Sequence, residues 1–322
     1  MQRGRIFLCA VGLLALASIV LPCCLAFPAK SPMSLVDEKA VIVWNPDTKE
    51  EHFIRQAAFD GSAKNFGFIV PAPTLPKVAA VDGSVFSTLD DFVQANNSPS
   101  NGIGCGQSRT DSATTAGGVD VVDQYMVGDY EATILKATDG KSMSEWLEKN
   151  GYSTRDAMTK WLDHYAQMGW FFAALKFVRA KDADTPETKA VRVTFTTDVP
   201  CYPYKMPTDT WPSGHYRPLA LYFIGPGIAR AQYRGDSKDW EAKIVWSGKI
   251  GKDLSKSLAD ALGLKMEDVP PDFTVTAFLN TRDSRGYDHD LFFLTYFQVL
   301  PTWAVFAVVL GIAGYVYWLV KT

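Results

Sequence analysis

The residues of this 322-residue chain that are best suited to catalysis or metal binding are its 4 histidines. A neutral imidazole serves as a general base and as a metal ligand near physiological pH. His52 lies in a candidate strand of alternating polarity, and His164 falls off the apolar face of a candidate helix. Neither has a second ligand at the spacing of a zinc motif. We therefore predict no metal role for His52 and a solvated side chain for His164.

The other two histidines lie in polar loops. His215 follows Ser213 too closely in sequence to indicate a catalytic triad, and the chain has no G-x-S-x-G nucleophile elbow. His289 stands between Asp288 and Asp290, which could hold a metal ion, but a second spaced pair of ligands is missing. A polar hairpin loop explains this segment more simply, and we predict that the protein holds no metal.

Established catalytic and cofactor motifs are absent from the sequence. There is no H-E-x-x-H, G-x-x-x-x-G-K-[ST], C-x-x-C-H or EF-hand pattern. The glycines of residues 102–106 follow a loop rather than a strand, which does not favour a dinucleotide site. We predict no cofactor and favour a non-enzymatic protein, although two carboxylates that meet only in the fold would leave no local motif.

A proline-rich loop late in the chain carries a cluster of aromatic rings. Its members are Tyr202, Tyr204, Trp211 and Tyr216. If exposed, these rings could bind a peptide or a glycan, because aromatic side chains supply large contact areas. The alternative is a rigid, packed loop that covers the end of a sheet.

The overall composition is that of an ordinary globular protein. Hydrophobic residues make up 47% of the chain and charged residues 21%, which excludes a disordered chain. The formal net charge is -3 and no basic face is evident, so we predict no nucleic-acid partner.

The N-terminus has the pattern of a secretory signal peptide. Two arginines precede an apolar run over residues 6–21, and small residues precede a predicted cleavage site after Ala26. Two alternatives stay open at this point. The segment could remain uncleaved as an anchor helix, or a lipid could be attached at Cys23 or Cys24.

The C-terminus carries a second apolar run, over residues 302–320, with no charge inside it. Its length matches the roughly 20 residues that span a bilayer, so we predict a transmembrane helix rather than a buried core helix. The residues expected at the membrane interfaces are Trp303, Tyr317, Trp318 and Lys321. Ala307 and Gly311 have the small-xxx-small spacing that lets two helices pack closely, so a homodimer is one option.

Together the two ends predict a single-pass type I protein of the cell membrane. The signal peptide covers residues 1–26, an extracytoplasmic domain residues 27–298, and the transmembrane helix with a short cytoplasmic tail residues 299–322. A polar loop within residues 96–118 is the candidate for a boundary inside the domain. We place the domain in the periplasm or the extracellular space.

Of the 5 cysteines, only Cys105 and Cys201 lie in the predicted extracytoplasmic domain. A pair of cysteines in an oxidising compartment favours a disulfide. Such a bridge would close a loop of about 95 residues and stabilise the domain by roughly 4–5 kcal/mol in the chain-entropy model. The alternative is two separate cysteines, one of them buried.

Apolar runs and turn residues predict a mixed order of strands and helices. Strands over residues 38–44 and 52–59 form a hairpin, and a third ends at Pro71, because proline cannot donate to a strand ladder. A helix begins at Ser84. Residues 125–135 are predicted as a strand or a hairpin. Further strands are predicted over residues 170–178, 191–196, 219–224, 243–246, 273–279 and 291–297, with a helix near residues 254–262.

Two helices lie between the strands over residues 125–135 and 170–178. The first starts with a capping box of Ser142 and Glu145. The second presents one apolar face, made of Met158, Trp161, Leu162 and Tyr165. This β-α-α-β unit, without a regular strand–helix alternation elsewhere, predicts an α+β fold with mixed or antiparallel sheets and a few short helices.

Five ordered segments carry a family resemblance: residues 66–73, 127–132, 146–152, 169–170 and 196–204. They resemble a bacterial family that is known only as a domain of unknown function, number 2330. The resemblance covers roughly residues 36–205. It implies a secreted or membrane-anchored bacterial protein, and it brings no established activity and no catalytic residue.

Three functions follow as hypotheses. The first is a membrane-tethered, non-enzymatic module of the cell envelope that binds a protein or a polymer. The second is an extracytoplasmic hydrolase of an envelope polymer, which would show two facing carboxylates in a cleft, or a histidine of shifted pKa beside a nucleophile. The third is a purely structural domain. The tether, the aromatic loop and the lack of catalytic motifs favour the first.

Overall fold

A computed structural model of the chain describes residues 25–26, 33–61, 67–97, 120–128, 130–152, 154–178, 190–210, 219–236, 238–280 and 288–296. Within these residues the chain forms fifteen strands and four α-helices. This mixture confirms the predicted α+β class, and strands dominate it.

The strands are β1 (Leu25–Ala26), β2 (Met33–Asn45), β3 (Glu50–Gly61), β4 (Gly67–Ala72), β5 (Lys77–Val81), β6 (Asp120–Val127), β7 (Tyr130–Lys136), β8 (Phe171–Phe177), β9 (Ala190–Thr196), β10 (Cys201–Tyr202), β11 (Leu219–Gly225), β12 (Ile228–Tyr233), β13 (Lys243–Lys249), β14 (Thr274–Asn280) and β15 (Leu291–Tyr296). The helices are α1 (Ser84–Asn97), α2 (Gly140–Lys149), α3 (Asp156–Gln167) and α4 (Gly251–Leu262).

The largest sheet has seven strands in the order β13-β14-β11-β2-β3-β9-β5. Its neighbouring strands run antiparallel except β2 and β11, which are parallel. The predicted hairpin of β2 and β3 is confirmed, with Val43 opposite His52. Residues 40–43 of β2 are all 0% exposed, so both faces of the sheet are covered at its centre.

A second, antiparallel sheet has the order β1-β4-β8-β7-β6. The helices α2 and α3 connect its neighbouring strands β7 and β8, which confirms the predicted β-α-α-β unit. The four residues predicted to form the apolar face of α3 are each 2% exposed or less: Met158, Trp161, Leu162 and Tyr165. Their helical spacing therefore fixes how α3 sits in the core.

A third sheet, of order β10-β15-β12, is small and antiparallel. The Phe223 ring of the large sheet stacks on Phe293 of β15, with 5.0 Å between the ring centroids. One hydrophobic core fills the space between the sheets, and a second lies between the large sheet and the helices α1 and α4. Phe53 belongs to the first core and Ile54 to the second, so successive residues of β3 face opposite sides.

The predicted end of the third strand at Pro71 is wrong, because β4 continues to Ala72. Pro71 lies opposite Phe172 of β8. Within the described residues β1 pairs only with Gly67 and Phe68, so the other side of β4 is open at Pro71. A proline is tolerated at such an edge because the missing N–H costs no ladder bond there.

The predicted capping box of α2 is also wrong. The N-cap is Asp139, whose side chain accepts a hydrogen bond from the Ser142 backbone N–H at 2.7 Å. Ser142 therefore lies inside the helix that it was expected to precede. The sequence patterns also miss β5 and β12, which are short strands with too few alternating apolar residues to stand out.

Several predictions fall on residues outside the described ones. They are the signal peptide except Leu25–Ala26, the boundary loop beyond Asn97, and the transmembrane segment over residues 299–322 with Trp303, Ala307, Gly311, Tyr317, Trp318 and Lys321. Within the described part of the chain, no helix is long and apolar enough to cross a membrane.

Candidate functional site

A cleft of about 390 Å³ opens where the ends of the three sheets meet. Its size is in the range of small-ligand sites. The large sheet contributes Lys49 and residues 196–199, the second sheet contributes Thr74 and Trp170, and the third contributes Arg234 and Phe292. Because each wall comes from a different sheet, only the complete fold forms this cleft.

Turns at the ends of strands position the lining residues. Gly169, with a φ of 73°, turns the chain out of α3 directly before Trp170. The Thr197 N–H donates to the Lys49 carbonyl at 2.8 Å, which joins two lining segments. The Arg234 N–H donates to the Asp290 carbonyl at 2.8 Å, so the backbone of this arginine is fixed.

The Arg234 guanidinium lies between two aromatic rings of the cleft. Its central carbon is 5.6 Å from the centroid of the Trp170 ring and 5.1 Å from that of Phe292. Its Nη1 contacts the Met168 sulfur at 3.2 Å, and no described carboxylate forms an ion pair with it. Aromatic faces attract a guanidinium but leave its N–H donors open. Arg234 therefore presents to the cleft a planar cation that has no direct ion pair among the described residues.

The other charges at the rim compensate each other. The Lys49 ammonium and the Asp198 carboxylate are 2.6 Å apart, and both side chains are largely exposed. The hydrogen bond to Asp198 raises the pKa of Lys49. An exposed pair of this kind contributes little to stability. Among the charged residues that line the cleft, Arg234 is thus the one without a direct ion pair within the described part of the chain.

Buried acids lie beneath the cleft rather than in it. Glu51 is 0% exposed, and one of its oxygens accepts a hydrogen bond from the Cys201 N–H at 2.8 Å. The other oxygen has no hydrogen-bond partner among the described residues. Burial raises the pKa of the Glu51 carboxyl well above its usual value, opposed by the Cys201 N–H. The carboxyl is therefore held towards its neutral form.

A second buried acid, Asp290, is 2% exposed. It accepts hydrogen bonds from the Tyr165 hydroxyl at 2.6 Å and from the Lys205 N–H at 3.2 Å. Burial raises the pKa of Asp290, and the hydrogen bond from Tyr165 opposes the shift. Burial also raises the pKa of the Cys201 thiol, so that thiol is a poor nucleophile.

We predict that Glu51→Gln raises the free energy of unfolding at pH 8 by on the order of 1–3 kcal/mol, the penalty of an unsatisfied buried polar group. The pKa of Glu51 is higher in the folded than in the unfolded chain. The folded state therefore binds the extra proton, and stability falls as pH rises above the ordinary glutamate range. Glutamine does not ionise, so the variant does not lose this stability as the pH rises.

Urea titrations at pH 4.5 and pH 8 measure this difference between the wild type and Glu51→Gln. The gain should shrink at the lower pH, where the folded carboxyl is protonated and the unfolded one is only about half ionised. Glu145→Gln is the matched control, because Glu145 is exposed on α2. An equal gain at both pH values, or a gain in the control, contradicts the assignment of this pH dependence to the buried Glu51 carboxyl.

The aromatic loop is packed where the structure describes it. Tyr202 and Tyr204 are both 0% exposed, and the Tyr202 ring lies 5.2 Å from that of Phe53. The alternative of exposed binding rings is therefore wrong for these two tyrosines, because β10 carries them into the core between the sheets. Trp211 and Tyr216 lie outside the described residues.

The predicted disulfide remains a prediction. Cys201 is buried with a free thiol in the structure. Its proposed partner, Cys105, lies outside the described residues.

Among the histidines, His164 differs from expectation. His164 is half-buried, with its ring 5.2 Å from that of Tyr165, so it is not freely solvated. His289 pairs with Asp288 at 2.8 Å on the surface, whereas Asp290 points into the core. These three consecutive residues therefore do not share one metal site. His215 lies outside the described residues.

The molecule is thus a three-sheet α+β protein with an arginine held over aromatic rings in a cleft. Residues 22–256 match a family described as an uncharacterised protein conserved in bacteria, DUF2330, and the chain belongs to that family. This confirms the resemblance, and the match extends beyond residues 36–205 in both directions.

Comparison with other known proteins adds little. No curated protein matches the sequence. Among solved structures, the chain is similar to the crystal structure of baculovirus P35, with a TM-score of 0.38 and 7% sequence identity, over 84% of this chain and 94% of that one. A likeness of this size does not establish a common fold or function.

Proposed function

We propose that this bacterial protein is a binding module of the cell envelope and that its ligand occupies the cleft. The observation that carries the proposal is the Arg234 guanidinium, stacked on Trp170 and Phe292 and without a carboxylate partner among the described residues. A fixed planar cation with open donors is suited to pair with a carboxylate through two parallel hydrogen bonds.

The remaining walls favour an extended peptide as the source of that carboxylate. Pro73 and Val199 present apolar surface, and Val199 is 38% exposed. The Thr197 hydroxyl donates to the Val199 carbonyl at 2.7 Å and accepts the Val199 N–H at 3.3 Å, so one lone pair is left for an incoming N–H. A peptide with an acidic residue next to an apolar one would pair with Arg234 and at the same time cover the apolar surface of these walls. An acidic polymer without apolar groups would use only Arg234.

The setting we propose is the outer face of the cell membrane. The signal-like N-terminus and the uncharged run over residues 302–320 support a domain held outside the cytoplasm by one transmembrane helix. Ala307 and Gly311 support a homodimer through that helix as one option. A tethered module samples ligands close to the membrane, where an envelope partner would be concentrated.

An envelope hydrolase is the weaker alternative. Asp198 is the one carboxylate that lines the cleft among the described residues, and Lys49 neutralises it. His52 lies beside the Thr194 hydroxyl at 2.9 Å, and burial lowers the pKa of His52 to about 4. That histidine is only 4% exposed and does not line the cleft. The pair therefore lacks the access to substrate that a hydrolase needs.

Cross-linking followed by co-purification tests the binding role in the membrane-inserted, full-length protein. We expect a specific partner with the wild type, a loss of at least about tenfold with Arg234→Ala, and retention with Arg230→Ala. Arg230 is the matched control because it lies on β12, which directly precedes Arg234, but pairs with Asp239 on the surface at 2.6 Å.

A form ending at Gln298 separates the domain from the tether. Capture by both forms assigns the interaction to the domain. Capture by the full-length protein alone assigns it to the transmembrane helix and contradicts the cleft. Equal capture by wild type and Arg234→Ala also contradicts it.

A further inference from the structure

Three potential metal ligands converge on the face of the large sheet opposite to Glu51. Glu50 and His52 alternate along β3, so they face the side that carries Ile54 and the core beneath α4. Asp268 comes from the segment between α4 and β14. One carboxylate oxygen of each acid and one ring nitrogen of His52 all lie within 4.8 Å of one another.

The His52 side chain is buried and is fixed by a hydrogen bond on one of its two ring nitrogens. It is 4% exposed, and its Nδ1 is hydrogen-bonded to the Thr194 hydroxyl at 2.9 Å. Its Nε2 is buried without a hydrogen-bond partner among the described residues. Buried polar atoms in folded proteins are rarely left unpaired. Metal-bound histidines have this arrangement, with one nitrogen on the ion and the other fixed by a second hydrogen bond.

Neighbouring backbone groups orient the Asp268 carboxylate, and both carboxylates are accessible to solvent. One oxygen of Asp268 accepts the Lys265 N–H at 3.0 Å, which orients the group. The backbone beside it is tied to the large sheet, since the Asn45 side chain donates to the Glu267 carbonyl at 3.1 Å. Glu50 and Asp268 are both half-buried, so solvent reaches the cluster from their side.

Two nearby cations, Arg192 and Lys265, act electrostatically on the cluster but make their direct contacts with other groups. The Arg192 guanidinium donates to the Leu262 and Gly263 carbonyls at the end of α4. The Lys265 ammonium pairs with Glu267 at 2.8 Å. No ion pair of Glu50 or Asp268 occurs among the residues that the structure describes. The two carboxylates and the His52 imidazole therefore lie together without a directly paired counterion among the described residues.

We propose that Glu50, His52 and Asp268 bind one divalent metal ion of the zinc class. Zinc accepts histidine nitrogen and carboxylate oxygen at about 2.0–2.2 Å, so a small closure of the loop that carries Asp268 would complete the set. Two carboxylates balance the charge of the ion. Three protein ligands leave one position of a tetrahedral ion for water or an external ligand.

The site would link β3 to the segment between α4 and β14, independently of the cleft. Thr194 is then a positioning residue, which acts on the metal through its hydrogen bond to His52. Exchange of such a partner typically weakens metal binding by about 10–100-fold. The proposal therefore predicts graded effects, larger for the carboxylates than for Thr194.

Calorimetric titration with zinc chloride tests the site in the full-length, detergent-solubilised protein, stripped of metal and with its accessible thiols alkylated. We expect one zinc ion per chain and a higher unfolding temperature with zinc. Glu50→Gln and Asp268→Asn, which keep the side-chain shape, should weaken binding at least about 100-fold, and Thr194→Val about 10–100-fold. The control is Asp288→Asn, because Asp288 forms the surface pair with His289.

Cobalt in place of zinc provides a spectroscopic readout. The expected result is visible d–d absorption without a thiolate-to-metal charge-transfer band, since the proposed ligands are nitrogen and oxygen. The proposal is overturned if the wild type binds no zinc at micromolar concentration, or if Glu50→Gln and Asp268→Asn both bind as the wild type does. Loss in Asp288→Asn alone, or a thiolate band, also overturns it.

Discussion

Replacing Gly140 by alanine should lower the free energy of unfolding by about 3 kcal/mol or more. Gly140 is the first residue of α2 and lies against α3. A Cβ atom there would lie 2.2 Å from the Thr159 carbonyl oxygen and 2.5 Å from the Asp163 nitrogen. Both are backbone atoms, so no side-chain rotation relieves the overlap. The two helices would have to move apart, although their facing residues are closely packed.

Urea unfolding followed by tryptophan fluorescence measures the effect, since Trp146 and Trp161 lie on α2 and α3. The control is Gly83→Ala, just before α1. Its Cβ would meet only the end of the flexible Gln56 side chain, at 3.2 Å. We expect the control to change stability by less than about 1 kcal/mol. Equal effects of the two substitutions would contradict the helix–helix spacing.

Phe223→Ala should cost about 3–5 kcal/mol, the usual effect of removing a buried phenylalanine ring. The Phe223 side chain is 0% exposed and stacks on Phe293, with ring centroids 5.0 Å apart and planes 22° apart. This contact joins the large sheet to β15, whose Phe292 lines the cleft. The substitution should therefore weaken ligand binding as well as stability.

A double-mutant cycle with Phe293→Leu separates the stacking contact from general burial. We expect a coupling energy of about 0.5–1.5 kcal/mol between the two rings. Ile244→Ala, at a position that is 43% exposed on β13, is the control and should change stability by about 0.5 kcal/mol or less. Full additivity of the two phenylalanine substitutions would mean that the rings do not interact.

Much of the fold is predictable because it depends on local periodicity. The spacing of Met158, Trp161, Leu162 and Tyr165 identifies the buried face of α3, and turn residues identify the central hairpin. Patterns of this kind report which side of an element is buried. They do not report which partner covers it, so the division into three sheets does not follow from them.

The candidate sites depend on contacts between distant segments. Arg234 follows a short strand that the sequence does not mark, and its stacking on Trp170 brings together residues from two different sheets. Likewise, no local spacing connects His52 with Asp268, so the prediction of no metal role for His52 missed this cluster. Such sites become visible only when sheet order is known.

The aromatic loop shows the converse error. Tyrosines among prolines have the composition of a binding loop, yet Tyr202 and Tyr204 fill the core between the sheets. Composition alone cannot separate a ring that covers a sheet from one that meets a ligand. The residue at the cleft with open donors is instead an arginine.

Site-specific photo-cross-linking in the full-length, membrane-inserted protein tests the central claim most directly. A photoreactive residue at Val199, which is 38% exposed in the cleft, is compared with one at Ile244, which is 43% exposed on β13. We predict a discrete adduct at position 199 that disappears with Arg234→Ala and persists with Arg230→Ala, and none at position 244. No adduct at 199, or one independent of Arg234, would contradict the account.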